Sequence, residues 1–278
     1  MPITTTDDGV TLHWYEAGSG TPMLLIHEFA GDHRSWRPQV AHFSRRYRCI
    51  TYDARGYPPS SAPTDPKAYS QAHAVADAVA VLDAAGVEAA HVVGNSMGGF
   101  CTLHLGLRHP ERALSLVVAG CGYGAHPDHA EVFRTESLLL AEMYETQGAQ
   151  AAAAFYGAGA ARLQLRDKDP DGYAEHLRIL ADHSPVGAAL TMRGVQASRP
   201  SLYDLRPELA RMQVPTLVVA GDADDGLLDA DLMLRRTLPR AGLAVLPRSG
   251  HLTNLEEPAL FNHLVEQFPA QVQAGRWA

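Results

Sequence analysis

Cysteine is scarce in this chain, and the three cysteines that are present lie far apart. Cys49, Cys101 and Cys121 each have apolar neighbours. An odd number at such wide spacing argues against a disulfide framework and against a zinc knuckle. We therefore expect buried, reduced thiols and a cytoplasmic protein.

Clusters of positive charge are also missing. The formal net charge is -8 at pH 7, and the chain has no Lys/Arg-rich block that would attract nucleic acid or an anionic membrane surface. The N-terminus lacks the basic and apolar regions of a secretory signal, and no apolar run reaches membrane-spanning length. These absences disfavour nucleic acid and membranes as partners. A small-molecule substrate is expected from the catalytic motifs of the chain, and the sequence indicates no oligomeric state.

Histidine is abundant, yet its spacing fits no metal motif. His27-Glu28 lacks the second helical histidine of a zinc protease. His126 and His129 are close enough in sequence to share a metal, but such a pair more often lies on a solvated loop. We expect neither a metal nor an organic cofactor.

The most informative stretch is Gly94-Asn95-Ser96-Met97-Gly98. It follows a short apolar run at residues 91–93 and precedes a helical pattern in which Phe100, Leu103 and Leu107 share one face. G-x-S-x-G between a strand and a helix is typical of a nucleophile elbow, whose serine hydroxyl points outward from a tight turn. The alternative is a glycine-rich turn with a structural serine. To favour catalysis, the rest of the chain must supply a base, an acid and an oxyanion hole.

Strand and helix patterns alternate through the first part of the chain. Residues 11–16 alternate polar and apolar side chains, as in an antiparallel edge strand. Residues 23–26 are a continuous apolar run, which is typical of a strand buried on both faces, and further strands are predicted at residues 47–52 and 113–119. The alternation predicts an α/β fold with a mostly parallel, doubly wound sheet, whose ligands bind beyond the C-terminal ends of the strands.

The alternation stops between Gly122 and Pro200, where the sequence is alanine-rich and helical. This length exceeds one crossover connection, although ordinary crossover helices are the alternative. We therefore predict a helical cap at residues 122–200, inserted into a core of residues 1–121 and 201–278. The candidates for lining a substrate pocket beneath it are Tyr123, Tyr144, Tyr156 and Met192.

Two late turns supply the expected acid and base. A Gly-Asp-x-Asp turn at residues 221–224 follows one strand pattern, and His251 follows the next. A serine hydroxyl is a poor nucleophile until an imidazole takes its proton. A carboxylate orients that imidazole and stabilises its cation. We assign these roles to Ser96, His251 and Asp224.

These motifs resemble those of the α/β-hydrolase fold superfamily, in its capped single-domain form, over essentially the whole chain. The matching stretches are His27-x-Phe29, Asp53-x-Arg55-Gly56, Gly94-Asn95-Ser96-Met97-Gly98-Gly99, Gly221-x-x-Asp224 and Gly250-His251. The resemblance places the acid at Asp224, so that Asp222 and Asp225 become turn or solvent residues. It also implies an oxyanion hole formed by the backbone N–H groups of Phe29 and Met97.

The chain departs from this family at Glu28, where glycine usually follows the histidine. An ionised carboxylate aimed at a developing oxyanion would oppose catalysis. We therefore expect Glu28 to point away, into a hydrogen bond or an ion pair. The alternative is that Glu28 binds a polar substrate group or transfers a proton.

Several activities are compatible with such a site. The leading interpretation is a serine hydrolase that cleaves a small ester, lactone or thioester through an acyl-enzyme, as esterases and enol-lactonases of this family do. Hydrolysis of a carbon–carbon bond in a vinylogous diketone is an alternative, as is cofactor-independent lyase or oxygenase chemistry. A non-catalytic binding protein is disfavoured by the intact Ser-Asp-His set.

Overall fold

The computed structural model describes residues 1–277, and within them the strands form one eight-stranded sheet. The strands are β1 (Ile3–Thr5), β2 (Thr11–Ala17), β3 (Thr21–Ile26), β4 (Tyr47–Tyr52), β5 (Ala90–Asn95), β6 (Ala113–Ala119), β7 (Thr216–Gly221) and β8 (Ala241–Leu246). Their spatial order is β1-β2-β4-β3-β5-β6-β7-β8. β2 is antiparallel to both β1 and β4, and the pairs from β4 to β8 are parallel.

The helices connect these strands. They are α1 (Arg37–Phe43), α2 (Gln71–Ala84), α3 (Met97–Arg108), α4 (Pro127–Gly157), α5 (Leu163–Lys168), α6 (Pro170–Ala181), α7 (Pro185–Thr191), α8 (Arg206–Leu209), α9 (Asp225–Thr237), α10 (Thr253–Glu256) and α11 (Pro258–Gln273). α4 contains a kink, because Gly148 has a φ of 80° there. Among residues 1–277, no helix combines the length and apolar character needed to cross a membrane.

Apolar layers cover both faces of the sheet. In β3, Leu24 and Ile26 belong to a layer that includes residues of α2, α3 and α9, whereas Met23 and Leu25 belong to a layer that includes residues of α1 and α11. Successive side chains of a strand point to opposite faces, so a strand buried on both sides is apolar over most of its length. This arrangement confirms the predicted doubly wound, mostly parallel sheet.

One strand prediction was wrong in part. β2 is antiparallel, as expected, but it is not an edge strand, because β1 pairs with its outer side. β1 has only three, mainly exposed residues, which are too few to produce a period in the sequence.

The cysteines are free and buried, as predicted. Burial raises the pKa of the Cys49 and Cys101 thiols to about 12, so both stay protonated near neutral pH.

The chain between β6 and β7 is helical and packs on the C-terminal ends of the central strands. We call α4 to α7, with the turns between them, the helical segment. Leu140 and Tyr144 of α4 and Leu180 of α6 belong to one apolar cluster with Phe29 and Met97. The helical segment therefore lies over the turns that follow β3 and β5.

Candidate active site

Ser96 occupies a strained turn between β5 and α3. Its φ is 52° and its ψ is -114°, and its N–H donates to the Ala119 carbonyl at 2.8 Å. A Cβ on Gly94 would lie 2.1 Å from the Gly98 oxygen, and one on Gly98 would lie 2.1 Å from the Ile26 oxygen. Both positions therefore need glycine. A non-glycine residue with such a φ costs on the order of 1–3 kcal/mol, which the surrounding packing must offset.

Three side chains that are distant in sequence form a continuous hydrogen-bonded chain. Ser96 Oγ lies 2.8 Å from His251 Nε2, and His251 Nδ1 lies 2.7 Å from Asp224 Oδ2. Asp224 has no N–H or O–H to give when ionised, so Nδ1 donates to it and Nε2 accepts from the serine hydroxyl. The arrangement can therefore move the Ser96 proton to His251.

The neighbouring aspartates are placed differently. Asp222 and Asp225 are exposed, and Asp222 accepts a hydrogen bond from the Ser249 N–H at 3.2 Å. Asp224 is the residue of this turn that contacts His251.

Glu256 holds the loop that carries His251, a role that the sequence analysis missed. Its buried carboxylate accepts the N–H of Gly250, and it accepts the N–H of Leu252 at 3.0 Å. Burial raises the pKa of Glu256, and the two N–H groups oppose that rise. Glu256 begins no recognisable motif, so only its position in space shows that it fixes the backbone on both sides of the imidazole.

His27 orients the loop that carries Phe29. Its Nδ1 lies 2.7 Å from the Glu28 carbonyl oxygen, and its Nε2 lies 3.1 Å from the N–H of Ala54, which donates to it. The Glu28 carbonyl and the Phe29 N–H belong to one planar peptide unit, so fixing the carbonyl also fixes the direction of the N–H. Met97, the other predicted oxyanion donor, is the first residue of α3.

Glu28 forms a buried ion pair with Arg162, which lies in a short turn between α4 and α5. Glu28 Oε2 accepts from the Arg162 guanidinium at 3.0 Å, and the two side chains are only 3% and 4% exposed. Burial raises the pKa of Glu28, but the nearby positive charges, above all that of Arg162, outweigh it and hold this pKa below its ordinary value. Glu28 therefore carries its negative charge at neutral pH, in the ion pair that the sequence analysis expected.

The predicted pocket residues divide into two groups. The rings of Tyr144 and Tyr156 pack edge-on against Phe29, with centroids 6.1 and 5.6 Å away. Met192 is buried in the same apolar cluster. Tyr123 is 40% exposed, and its hydroxyl donates to Glu136, so it lies apart from this cluster.

The helical segment brings further residues that the sequence analysis missed. His183 packs edge-on against Phe29 and Tyr57, and burial lowers the pKa of its imidazole to about 3. His176 lies 3.8 Å from Glu28, and burial lowers the pKa of its imidazole to about 4. Both imidazoles are therefore neutral at pH 7. Neither residue has a local sequence signal, because the fold alone brings them to Glu28 and Phe29.

One cluster among residues 1–277 has metal-ligand chemistry. Single ligand-type atoms of Asp32, His33 and Asp53 lie within 4.8 Å of one another. The Asp32 carboxylate, however, is bound by the Arg34 guanidinium at 2.7 Å, and His33 Nδ1 lies 2.8 Å from Asp53. These atoms are already engaged in hydrogen bonds within the protein, which is the pattern of a structural network.

Comparison with known proteins identifies the family of this chain. Residues 21–258 match the model of the alpha/beta hydrolase fold family. The chain is 31% identical to 3-oxoadipate enol-lactonase 2 of Acinetobacter baylyi, covering 96% of this chain and 97% of that protein. It is 29% identical to a 2-hydroxymuconate semialdehyde hydrolase of Pseudomonas putida, covering 96% and 93%.

A solved structure shows the same fold. The crystal structure of the enol-lactonase from Burkholderia xenovorans LB400 matches with a TM-score of 0.84 at 24% identity, over 97% of this chain and all of that one. The strand order, the turn at Ser96 and the family match lead to one conclusion: the chain belongs to the α/β-hydrolase fold family and is a hydrolase.

Proposed function

We propose that this enzyme is a serine hydrolase that cleaves a small ester or lactone through an acyl-enzyme, with Ser96, His251 and Asp224 as its catalytic triad. The observation that carries the proposal is the hydrogen-bonded chain of 2.8 and 2.7 Å that ends on Ser96. The strained backbone at Ser96 supports it, because such strain is concentrated at functional sites.

Acylation begins when His251 Nε2 takes the proton of Ser96. The Oγ atom then forms a bond to the acyl carbon of the substrate, and the carbonyl electron pair moves onto oxygen. We assign the stabilisation of this oxyanion to the N–H groups of Phe29 and Met97; a single donor of this kind is worth about 3 kcal/mol. When the tetrahedral intermediate collapses, the bond to the leaving oxygen breaks and His251 gives that oxygen its proton.

Deacylation repeats these steps with water. His251 takes a proton from the water, the resulting hydroxide attacks the Ser96 ester, and the acid product leaves as Ser96 regains its proton. With a lactone, the leaving hydroxyl remains part of the acyl group, so one hydroxy acid is the product. A thioester would follow the same course with sulfur as the leaving atom.

The likeness to the enol-lactonase of Acinetobacter baylyi favours a lactone or ester substrate. The likeness to 2-hydroxymuconate semialdehyde hydrolase supports a second candidate, hydrolysis of a carbon–carbon bond in a vinylogous diketone. We propose further that residues 122–200 form a cap over a core of residues 1–121 and 201–278. The packing of Tyr144 and Tyr156 against Phe29 supports this division.

The test compares the wild type with Ser96→Ala on short and long acyl esters, lactones and vinylogous diketones. We expect ester or lactone turnover to fall by at least about 10,000-fold in Ser96→Ala, because triad members act as one unit. The thermal unfolding curve should change little. Ser198→Ala, which removes an exposed hydroxyl remote from the triad in sequence, is the control and should retain the wild-type rate.

Two results would contradict the proposed mechanism or the proposed substrate class. Ester turnover that survives in Ser96→Ala would exclude the acyl-enzyme mechanism. A wild-type enzyme that cleaves the diketone efficiently and the esters poorly would favour the carbon–carbon hydrolase instead.

A further inference from the structure

The ion pair of Glu28 and Arg162 lies beside the loop that carries the proposed oxyanion donor Phe29. Glu28 supplies the carbonyl of the peptide unit whose N–H belongs to Phe29, and consecutive Cα atoms are about 3.8 Å apart. Arg162 also lies over the ring of Tyr156, with its guanidinium carbon 4.4 Å from the ring centroid. Tyr156 in turn packs against Phe29. Both charges are therefore close to the place where the substrate acyl group would bind.

Glu28 changes what Arg162 can bind. A guanidinium with free N–H groups is a strong ligand for a carboxylate, because its forked donors match the two oxygens. Here one N–H of the guanidinium already donates to the Glu28 carboxylate at 3.0 Å, and the Nε–H has no hydrogen-bond partner among residues 1–277. A substrate carboxylate that took both forked donors would displace Glu28 and leave it as a buried charge without its partner, which is costly.

The charges near Phe29 also disfavour the binding of a substrate carboxylate. Glu28 cancels the positive charge of Arg162, so this buried ion pair offers a substrate anion no net charge. His176 and His183 add no charge at neutral pH, since burial lowers the pKa of these imidazoles to about 4 and about 3. An additional anion at this ion pair would therefore lose its hydration on burial without a net attraction to replace it.

We infer that Glu28 is a specificity-determining residue that makes the site select uncharged acyl groups and reject acyl groups that carry a carboxylate. This inference rests on the proposed function. Two unit charges about 10 Å apart, at an effective dielectric constant of about 20, change each other's binding by roughly tenfold. We expect the preference for an uncharged acyl group to be at least that large, because Glu28 also accepts a hydrogen bond from Arg162 and neutralises its charge.

The experiment uses two substrates of nearly the same shape, 4-nitrophenyl monoadipate and 4-nitrophenyl adipamate. They differ only in a terminal carboxylate or carboxamide. The wild type should cleave the adipamate with a kcat/KM at least about 10-fold higher than that for the monoadipate. In Glu28→Gln this ratio should fall to about one or invert, because Arg162 becomes available to the carboxylate. A residue that only braces the loop would lower both rates and leave the ratio unchanged.

Glu131→Gln is the matched control, because it removes one negative charge from an exposed position on α4. Its ratio should equal that of the wild type. Equal rates for both esters in the wild type would overturn the inference while leaving the proposed function intact, as would an unchanged ratio in a folded Glu28→Gln. If Glu28→Gln does not fold, the wild-type ratio decides. Failure to cleave the adipamate would overturn this inference, because an enzyme that selects uncharged acyl groups must accept it; the panel of esters and lactones tests the proposed function separately.

Discussion

The side of the site that holds the proposed triad, called the triad side, and the helical-segment side are built differently. On the triad side Ser96 and Asp224 bond to His251, and the His251 loop bonds to Glu256, although the buried side chains of Asn95 and Thr253 have no hydrogen-bond partner among residues 1–277. On the other side several buried polar atoms have no hydrogen-bond partner among residues 1–277. They are the Tyr144 hydroxyl, both ring nitrogens of His176 and His183, Arg162 Nε and Glu28 Oε1.

We infer from this difference that the triad side carries out the reaction and that the helical-segment side binds the substrate. Buried polar groups are normally paired, because leaving one unpaired costs about 1–3 kcal/mol. The hydrogen-bonded chain of Ser96, His251 and Asp224 keeps the proposed reacting atoms in one geometry. The helical-segment side contributes polar groups that are poised around Phe29 and belong to no such network. We therefore expect changes on the triad side to abolish the reaction, and changes on the helical-segment side to alter selectivity and pH dependence.

The largest expected effect on the triad side, after loss of Ser96, concerns Asp224. Asp224→Asn should lower kcat by about 1,000- to 10,000-fold, because an amide no longer holds His251 in the required tautomer or stabilises its cation. Steady-state kinetics on the best ester substrate measure this loss. The thermal unfolding midpoint should remain close to that of the wild type.

The same turn supplies two controls for this prediction. Asp222→Asn and Asp225→Asn also remove one negative charge each, but these side chains are exposed. Both variants should retain activity within a few-fold of the wild type. A large loss in Asp225→Asn together with a small one in Asp224→Asn would show that the acid is assigned to the wrong residue.

A smaller effect, on stability, is expected on the helical-segment side. The pKa of His183 is lowered by burial to about 3 in the folded protein, against about 6.5 in the unfolded chain. Between these values the unfolded state binds more protons, so the free energy of unfolding falls as the pH falls below about 6.5. His183 contributes about 1.4 kcal/mol per pH unit to this slope.

His183→Gln tests this contribution. Urea unfolding at pH 8 measures the cost of the substitution while the imidazole is neutral in both states. At pH 5 that cost should be smaller by about 2 kcal/mol, because the variant has no imidazole to protonate on unfolding. A cost that is the same at both pH values would show that His183 is not buried in its neutral form.

Local sterics explain why so much of the triad side could be predicted from the sequence. Gly94 and Gly98 are required because a Cβ at either position would lie 2.1 Å from a backbone oxygen of the elbow or of the neighbouring strand, so the motif and its geometry are nearly inseparable. The buried strands β4 and β6 have the predicted bounds, since strands covered on both faces are mostly apolar. β1 could not be predicted because three residues contain no measurable period.

The helical-segment side was far less predictable. Glu28 and Arg162 are separated by 134 positions, and nothing near either residue identifies the other as its partner. The sequence indicated that Glu28 needs a partner, because its charge would otherwise oppose the oxyanion, but only the fold identifies Arg162. His176 and His183 likewise owe their burial beside Glu28 and Phe29 to packing. Long-range pairs of this kind depend on how helices cross, which no local pattern records.

The central claim is that Ser96 becomes covalently acylated during turnover. The most direct test is to mix the enzyme with a 4-nitrophenyl ester, stop the reaction within the first turnover, digest the protein and measure peptide masses. We predict a burst of about one equivalent of 4-nitrophenolate and an acyl group on the peptide that contains Ser96. An acyl group on another residue, or continued turnover in Ser96→Ala, would contradict the account.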